Sequence, residues 1–172
     1  MKVSIDTNVF LYLFNDRHNE DEHIDALLTR LARHGAKLCV DSTNKIAIEY
    51  HKHLDGILRK DDDGLRIYIL RRWMNEEFWD NPIATDPKDV LMNRIKAVIP
   101  GNNQRIDRIF VYVSCMGNCA LVTNCKKHIL SRRASLKAGT RGFRGLESDI
   151  LSSQEAGVHF SEENFRPFAD EL

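Results

Sequence analysis

The sequence predicts an α/β fold: a central, mostly parallel sheet between layers of helices, a three-layer α/β/α sandwich. Three observations carry that expectation. Three short apolar runs, Lys2–Ile5, Lys37–Val40 and Cys119–Thr123, read as strands. Long segments with helical periodicity separate them, and strands alternating with helices imply parallel pairing with both sheet faces covered. The 172 residues suit a single domain, 1–172, able to hide about 70% of its unfolded surface.

Each element has its own local reason. Val9, Phe10, Leu11, Leu13 and Phe14 form a buried helix after the first strand, with Thr7 or Asn8 as cap. Ile24, Leu27, Leu28 and Leu31 line one face of a helix from Asp21 to His34, which Gly35 stops. After the second strand and Asp41, Ser42 or Thr43 caps a helix reaching about Arg59. Lys60-Asp61-Asp62-Asp63-Gly64 breaks it, and a helix from Leu65 to Phe78 follows. Asp86–Ile99 is helical up to Pro100-Gly101, and Gln104–Met116 up to Gly117-Asn118. Residues 131–157 read as a long loop with one short helix, Val158–Phe160 as a last edge strand, and Ser161-Glu162-Glu163 as a helix start.

Composition bounds the function classes. With 42% hydrophobic and 29% charged residues the chain is an ordinary soluble globular protein. No apolar run approaches the roughly 20 residues of a membrane span, so no membrane association is expected. The chain opens directly on a strand, leaving no room for a targeting segment, and four cysteines suggest no disulfide framework; a reducing cytoplasm is the expected location. The net charge of zero conceals an asymmetry. Arg108 to Gly145 contains no Asp or Glu but carries Arg108, Lys126, Lys127, Arg132, Arg133, Lys137, Arg141 and Arg144, and an acidic tail begins at Glu147. A basic stripe of this kind is a nucleic-acid footprint, or equally a solvated loop balanced by the tail.

Parallel sheets bind ligands at the carboxyl ends of their strands. Asp6 follows the first strand, Thr123-Asn124-Cys125 follows the third, and Glu49 and Asp107 lie on helices able to face the same edge. In this order the sequence resembles the PIN-domain nucleases. Val3-Ser4-Ile5-Asp6-Thr7-Asn8-Val9-Phe10-Leu11 is similar to that family's leading strand ending in Asp-Thr-Asn. Ile46-Ala47-Ile48-Glu49 is similar to its central helical Glu. Ile106-Asp107-Arg108-Ile109-Phe110 and the later Leu121-Val122-Thr123-Asn124 are similar to its helical Asp and Thr-X-Asp strand end. Gly157 to Phe165 is similar to the family's final strand and helix. The stretches at about 60–100 and 131–156 look like insertions, and a cysteine, Cys125, stands where the family places a fourth acid.

The resemblance implies a Mg²⁺- or Mn²⁺-dependent endoribonuclease cutting single-stranded RNA, with Asp6, Glu49 and Asp107 as metal ligands. Hard cations prefer oxygen donors, and a bound cation lowers the pKa of its water and neutralises phosphate charge. Thr7, Asn8, Thr123 and Asn124 are expected to orient the carboxylates from behind. Asn124 also offers a neutral oxygen, and Glu147 or Asp149 could fold back to replace the missing acid. Lys126, Lys127, Arg132, Arg133, Arg141 and Arg144 are the expected RNA contacts, with Phe143 beside two guanidiniums for base stacking. By analogy with the family, a toxin-type or defence role would bring an antitoxin or other protein partner, and Trp73, Phe78 and Trp79 would pack either a homodimer surface or the core.

Other readings stand beside these. Asp6 could cap the next helix, Glu49 could pair with Lys45 or His53 four residues away, and Asp107 could stabilise a helix N-terminus. Cys115, Cys119, Cys125 and His128, spaced Cys-x3-Cys-x5-Cys-x2-His, could hold structural zinc, or the cysteines could be core residues. The alternative function is a catalytically weakened or inactive module that binds RNA or a protein. A nucleotide-binding regulatory domain is disfavoured, since no Gly-rich phosphate loop follows Ile5 or Val40.

Overall fold

In a computed structural model of the chain, residues 1–14, 21–59, 64–143 and 149–161 are described. The elements run β1 (Lys2–Ile5), α1 (Thr7–Tyr12), α2 (Asp21–Arg33), β2 (Lys37–Leu38), α3 (Lys45–Leu58), α4 (Leu65–Met74), α5 (Val90–Val98), α6 (Arg105–Met116), β3 (Ala120–Val122), α7 (Arg133–Gly139), β4 (Ile150–Leu151) and α8 (Ser153–His159). Short 3₁₀ turns occupy Glu76–Phe78, Asn102–Gln104 and Leu130–Arg132. The four strands form one all-parallel sheet in the order β2-β1-β3-β4, flanked by helices as the sequence predicts. No described helix is long and apolar enough to cross a membrane.

Residues of β1 and β3 are buried almost without exception, as befits strands covered on both faces. Helix α6 lies against both strands, and α3 packs on α1, α4 and α6. Tyr50 of α3 is fully buried between Phe10 and Phe110, 5.5 and 6.1 Å between ring centroids, and its hydroxyl donates to the Ile5 carbonyl. That bond fixes α3 against the end of β1, so the helix carrying Glu49 cannot rotate freely. Trp73 is core, and Trp79 Nε1 donates to its carbonyl at 2.9 Å. Residues 79–83 run along the outer edge of β2, with single bridges from Trp79 to Leu38 and Ile83 to Asp41.

Several local expectations change. The cap of α1 is Asp6 rather than Thr7 or Asn8. The start of α3 is held by Asp41 rather than Ser42 or Thr43. Asp41 is fully buried and accepts from the backbone N–H groups of Thr43, Lys45 and Ile46, and from the Thr43 hydroxyl. Asn44, in the left-handed region at φ 57°, turns the chain so that this carboxylate reaches the orphan donors. Asp86–Ile99 shortens to α5, which Asp89 caps through Leu91 N, and Leu65–Phe78 breaks at the extended Asn75.

The largest revision is near the carboxyl end. Residues 131–157 contain α7, β4 and most of α8, and Val158 and His159 belong to α8 instead of an edge strand. A two-residue strand leaves no periodic signature. The start of α8 does carry a local signal: Ser152 and Glu155 form a reciprocal capping box, the S-x-x-E pattern of a helix beginning. The helix start expected at Ser161-Glu162-Glu163 lies outside the described residues beyond Ser161.

Replacing Asp41 by Ala strands several buried N–H groups at once. It is expected to destabilise the fold by about 2–4 kcal/mol, read as a lower urea midpoint with an unchanged slope; an unchanged midpoint would refute the capping role.

Candidate metal and phosphate-ester site

Parallel pairing puts the ends of β1 and β3 on the same sheet edge, with Ile5 beside Val122. Asp6 and Thr123 are therefore neighbours although 117 positions apart, and the Thr123 hydroxyl donates to Asp6 Oδ2 at 2.7 Å. Asn8 donates its amide to the same oxygen at 2.9 Å and its backbone N–H to Oδ1 at 3.3 Å. The Asn8 side-chain oxygen in turn accepts from Asn124 N at 2.9 Å, and Thr123 Oγ1 accepts from Cys125 N at 3.0 Å. Asp6 is thus both the helix cap and a carboxylate held from three sides.

Asp6 is 5% exposed. Its burial raises the carboxyl from 3.8 to about 6, against the lowering effect of its donors, and the nearby Asp107 adds to the rise. Asp107 sits in the first turn of α6. Burial raises its pKa as well, with the His128 contact opposing and the Glu49 charge reinforcing the rise. Asp107 thus disfavours ionisation of Asp6, and Glu49 that of Asp107, but the three carboxylates expected as one ligand set do not lie within 4.8 Å of one another.

Glu49 Oε1 meets His53 Nε2 at 3.0 Å, and Lys52 lies 4.0 Å from Oε2. Of the two expected four-residue pairs, that with His53 forms. Asp107 Oδ2 meets His128 Nδ1 at 2.8 Å, a pairing that the pattern of acids alone does not supply. The available signal is the Cys125-x2-His128 spacing after β3. Donor atoms of Asp107, Cys125 and His128 lie within 4.8 Å of one another. Burial raises the Cys125 thiol, and Asp107 and Asp6 raise it further, so it is protonated at neutral pH without a metal.

The remaining expected residues divide. Thr7 Oγ1 is buried with no partner and orients no carboxylate. The Asn124 oxygen is taken by the Ser153 N–H and hydroxyl at 3.1 and 3.0 Å, so it ties β3 to α8 rather than facing the acids. Asp149 pairs with Lys137 and accepts from Ile150 N, and does not replace a fourth acid; Glu147 lies outside the described residues. The four-residue zinc set does not assemble. Cys115 and Cys119 are buried in the core, with the Cys119 thiol against Cys39, away from Cys125 and His128.

The basic stripe is partly consumed by the fold. Arg132 donates to the Val98 carbonyl, and Arg133 pairs with Glu155 and the Ile150 carbonyl. Lys126, Lys127 and Arg141 are exposed, and Arg144 lies outside the described residues. Comparison of the chain with known protein families, curated proteins and solved structures finds no match.

The raised Asp6 pKa sets a pH dependence. Between about pH 4 and 6 the folded protein retains a proton there that the unfolded chain has lost. Stability of the metal-free protein therefore falls as pH rises through this window and stays lower by about 3 kcal/mol above it. Urea midpoints in EDTA at the two ends of the window should show this fall in wild type and a smaller one in Asp6→Asn, where the raised Asp107 still contributes; parallel profiles would contradict the burial argument.

Proposed function

We propose that the protein is a metal-dependent ribonuclease of PIN type, acting on single-stranded RNA with Mg²⁺ or Mn²⁺. The observation that carries this reading is the placement of Asp6 at the end of β1 with its charge coupled to Asp107, and of Asp107 with its charge coupled to Glu49, although the three carboxylates do not lie within 4.8 Å of one another. Such coupling is costly when uncompensated and is relieved by a cation. Among the described residues the donors that lie together are those of Asp107, Cys125 and His128, a mixed oxygen, sulfur and nitrogen set, while Asp6 and Glu49 stand outside it as further oxygens that a hard divalent ion would draw in. A bound cation would supply an activated water and charge neutralisation at the phosphate.

The chain's own residues do the positioning. Thr123 and Asn8 hold Asp6 in one orientation, and Tyr50 anchors the helix that carries Glu49. His128 fixes Asp107. The exposed Lys126 and Lys127, directly after the Thr123-Asn124-Cys125 strand end, would meet phosphates flanking the cut. Four free cysteines agree with a cytoplasmic protein. A toxin-type or defence role, with an antitoxin-like protein partner, belongs to this proposal by family analogy.

A second reading has its own support. With Asn124 engaged by Ser153 and a protonated thiol at Cys125, no fourth oxygen joins the cluster from this strand end. A module that binds RNA or a protein partner and cuts weakly or not at all would have this geometry.

Labelled single-stranded RNA incubated with Mn²⁺ should be cleaved, and Asp6→Asn or Asp107→Asn should lower the rate at least about a hundredfold. Equal rates in wild type and both variants would sink the nuclease reading. Cys125→Asp supplies the oxygen that the strand end lacks. It should raise the Mg²⁺-supported rate by roughly tenfold or more, and no gain would argue that Cys125 lies outside the working site.

A further inference from the structure

A second charged feature lies beside the acids. Lys45, Lys96, Arg105 and Arg108 line one cleft of about 160 Å³ together with Thr85, over the apolar atoms of Met92 and Ile109. No carboxylate lines it. Four cations facing one concavity repel one another, and a concave wall focuses their field on whatever anion enters. Their donors are only partly used. Lys96 Nζ donates to the Pro87 carbonyl at 2.8 Å, leaving two protons. Arg108 Nη1 donates to the Ile99 and Gly101 carbonyls, leaving Nη2 and Nε. The side chains of Lys45 and Arg105 meet no partner among the described residues, and Thr85 Oγ1 is shielded from water without one.

Size and position narrow the ligand. The volume is well below the roughly 300 Å³ at which small-molecule sites begin, so the cleft suits a single phosphate group better than a whole nucleotide. Helices α3 and α6 contribute to both the cleft and the acids, while Lys96 comes from α5 and Asp6 from the end of β1. Lys45 precedes Glu49 by four residues on α3, about 6 Å along its axis, and Arg105 and Arg108 bracket Asp107 on α6. A strand lying across the acids would pass the cleft within a short run of backbone.

We propose that this cleft is a phosphate-binding subsite for the backbone of single-stranded RNA, seated by Lys45, Lys96, Arg105 and Arg108 beside the acidic cluster. The inference rests on the nuclease reading for the location of the scissile bond, and on the cleft itself for the anion. It differs from the basic stripe of the sequence, since of its four cations only Arg108 belongs to that stripe.

The test is fluorescence anisotropy of the full chain with labelled oligouridylate in EDTA, where no cutting interferes, across a salt titration. The double variant Lys45→Ala/Arg105→Ala should weaken binding at least about tenfold, and its log–log salt slope should be shallower by about 0.7 for each phosphate it no longer neutralises. Lys45→Arg/Arg105→Lys retains the charges and should bind as wild type does, which separates phosphate recognition from a folding defect. Lys37→Ala, at the opposite end of β2, should change neither quantity. Wild-type affinity and slope in the double alanine variant, or no RNA binding by the wild type, would overturn the subsite. Cleavage with Mn²⁺ is a separate readout: binding through the cleft without cutting would keep the subsite and reject the nuclease, while cutting with unchanged KM in the double variant would do the reverse.

Discussion

The Asp6 carboxylate is removed from water at the seam between two parallel strands, and much of the surrounding structure exists to hold it there. Its own N–H is spent on the Val122 carbonyl, completing the ladder between β1 and β3. Its side chain caps α1 and accepts from Thr123 and Asn8, and Asn8 passes the connection on to Asn124. Asn124 continues it to Ser153 at the start of α8. One buried acid thereby joins the ends of β1, β3 and the segment after β4. A neutral residue could cap α1, but it would neither repel Asp107 nor attract a cation.

Repulsion among the carboxylates and the concentration of cations beside them are two halves of one electrostatic arrangement. Each half is unfavourable alone, because like charges crowd together. A divalent ion would relieve the first and a polyanion the second. The zero net charge of the whole chain therefore says little about ligands, since opposite charges are segregated over a short distance on α3 and α6.

Legibility in the sequence follows the range of the interactions. Asp6, Glu49 and Asp107 stand out because each sits at a recognisable place in a local pattern, a strand end or a helix turn. The strands β1 and β3 and the helices α2, α3 and α6 are readable from apolar spacing for the same reason. Asp41 escapes notice as a cap because the left-handed Asn44 lengthens the turn, and spacing rules assume the cap adjoins the helix. Strand β4 is invisible because two residues carry no period. Arg132, Arg133 and Lys137 read as free cations, yet their partners are Val98, Glu155 and Asp149, which only folding brings near.

By itself the sequence determined the α/β class and the order of the main elements, because hydrophobic period is a property of neighbouring residues. Only the tertiary structure decided which groups meet. His128 reaches Asp107, Asn124 turns to Ser153 and away from the acids, Cys115 and Cys119 part from Cys125, and Lys45, Lys96, Arg105 and Arg108 share one cleft. The reason is geometric: parallel strands and packed helices juxtapose residues tens of positions apart, and no local propensity encodes those distances.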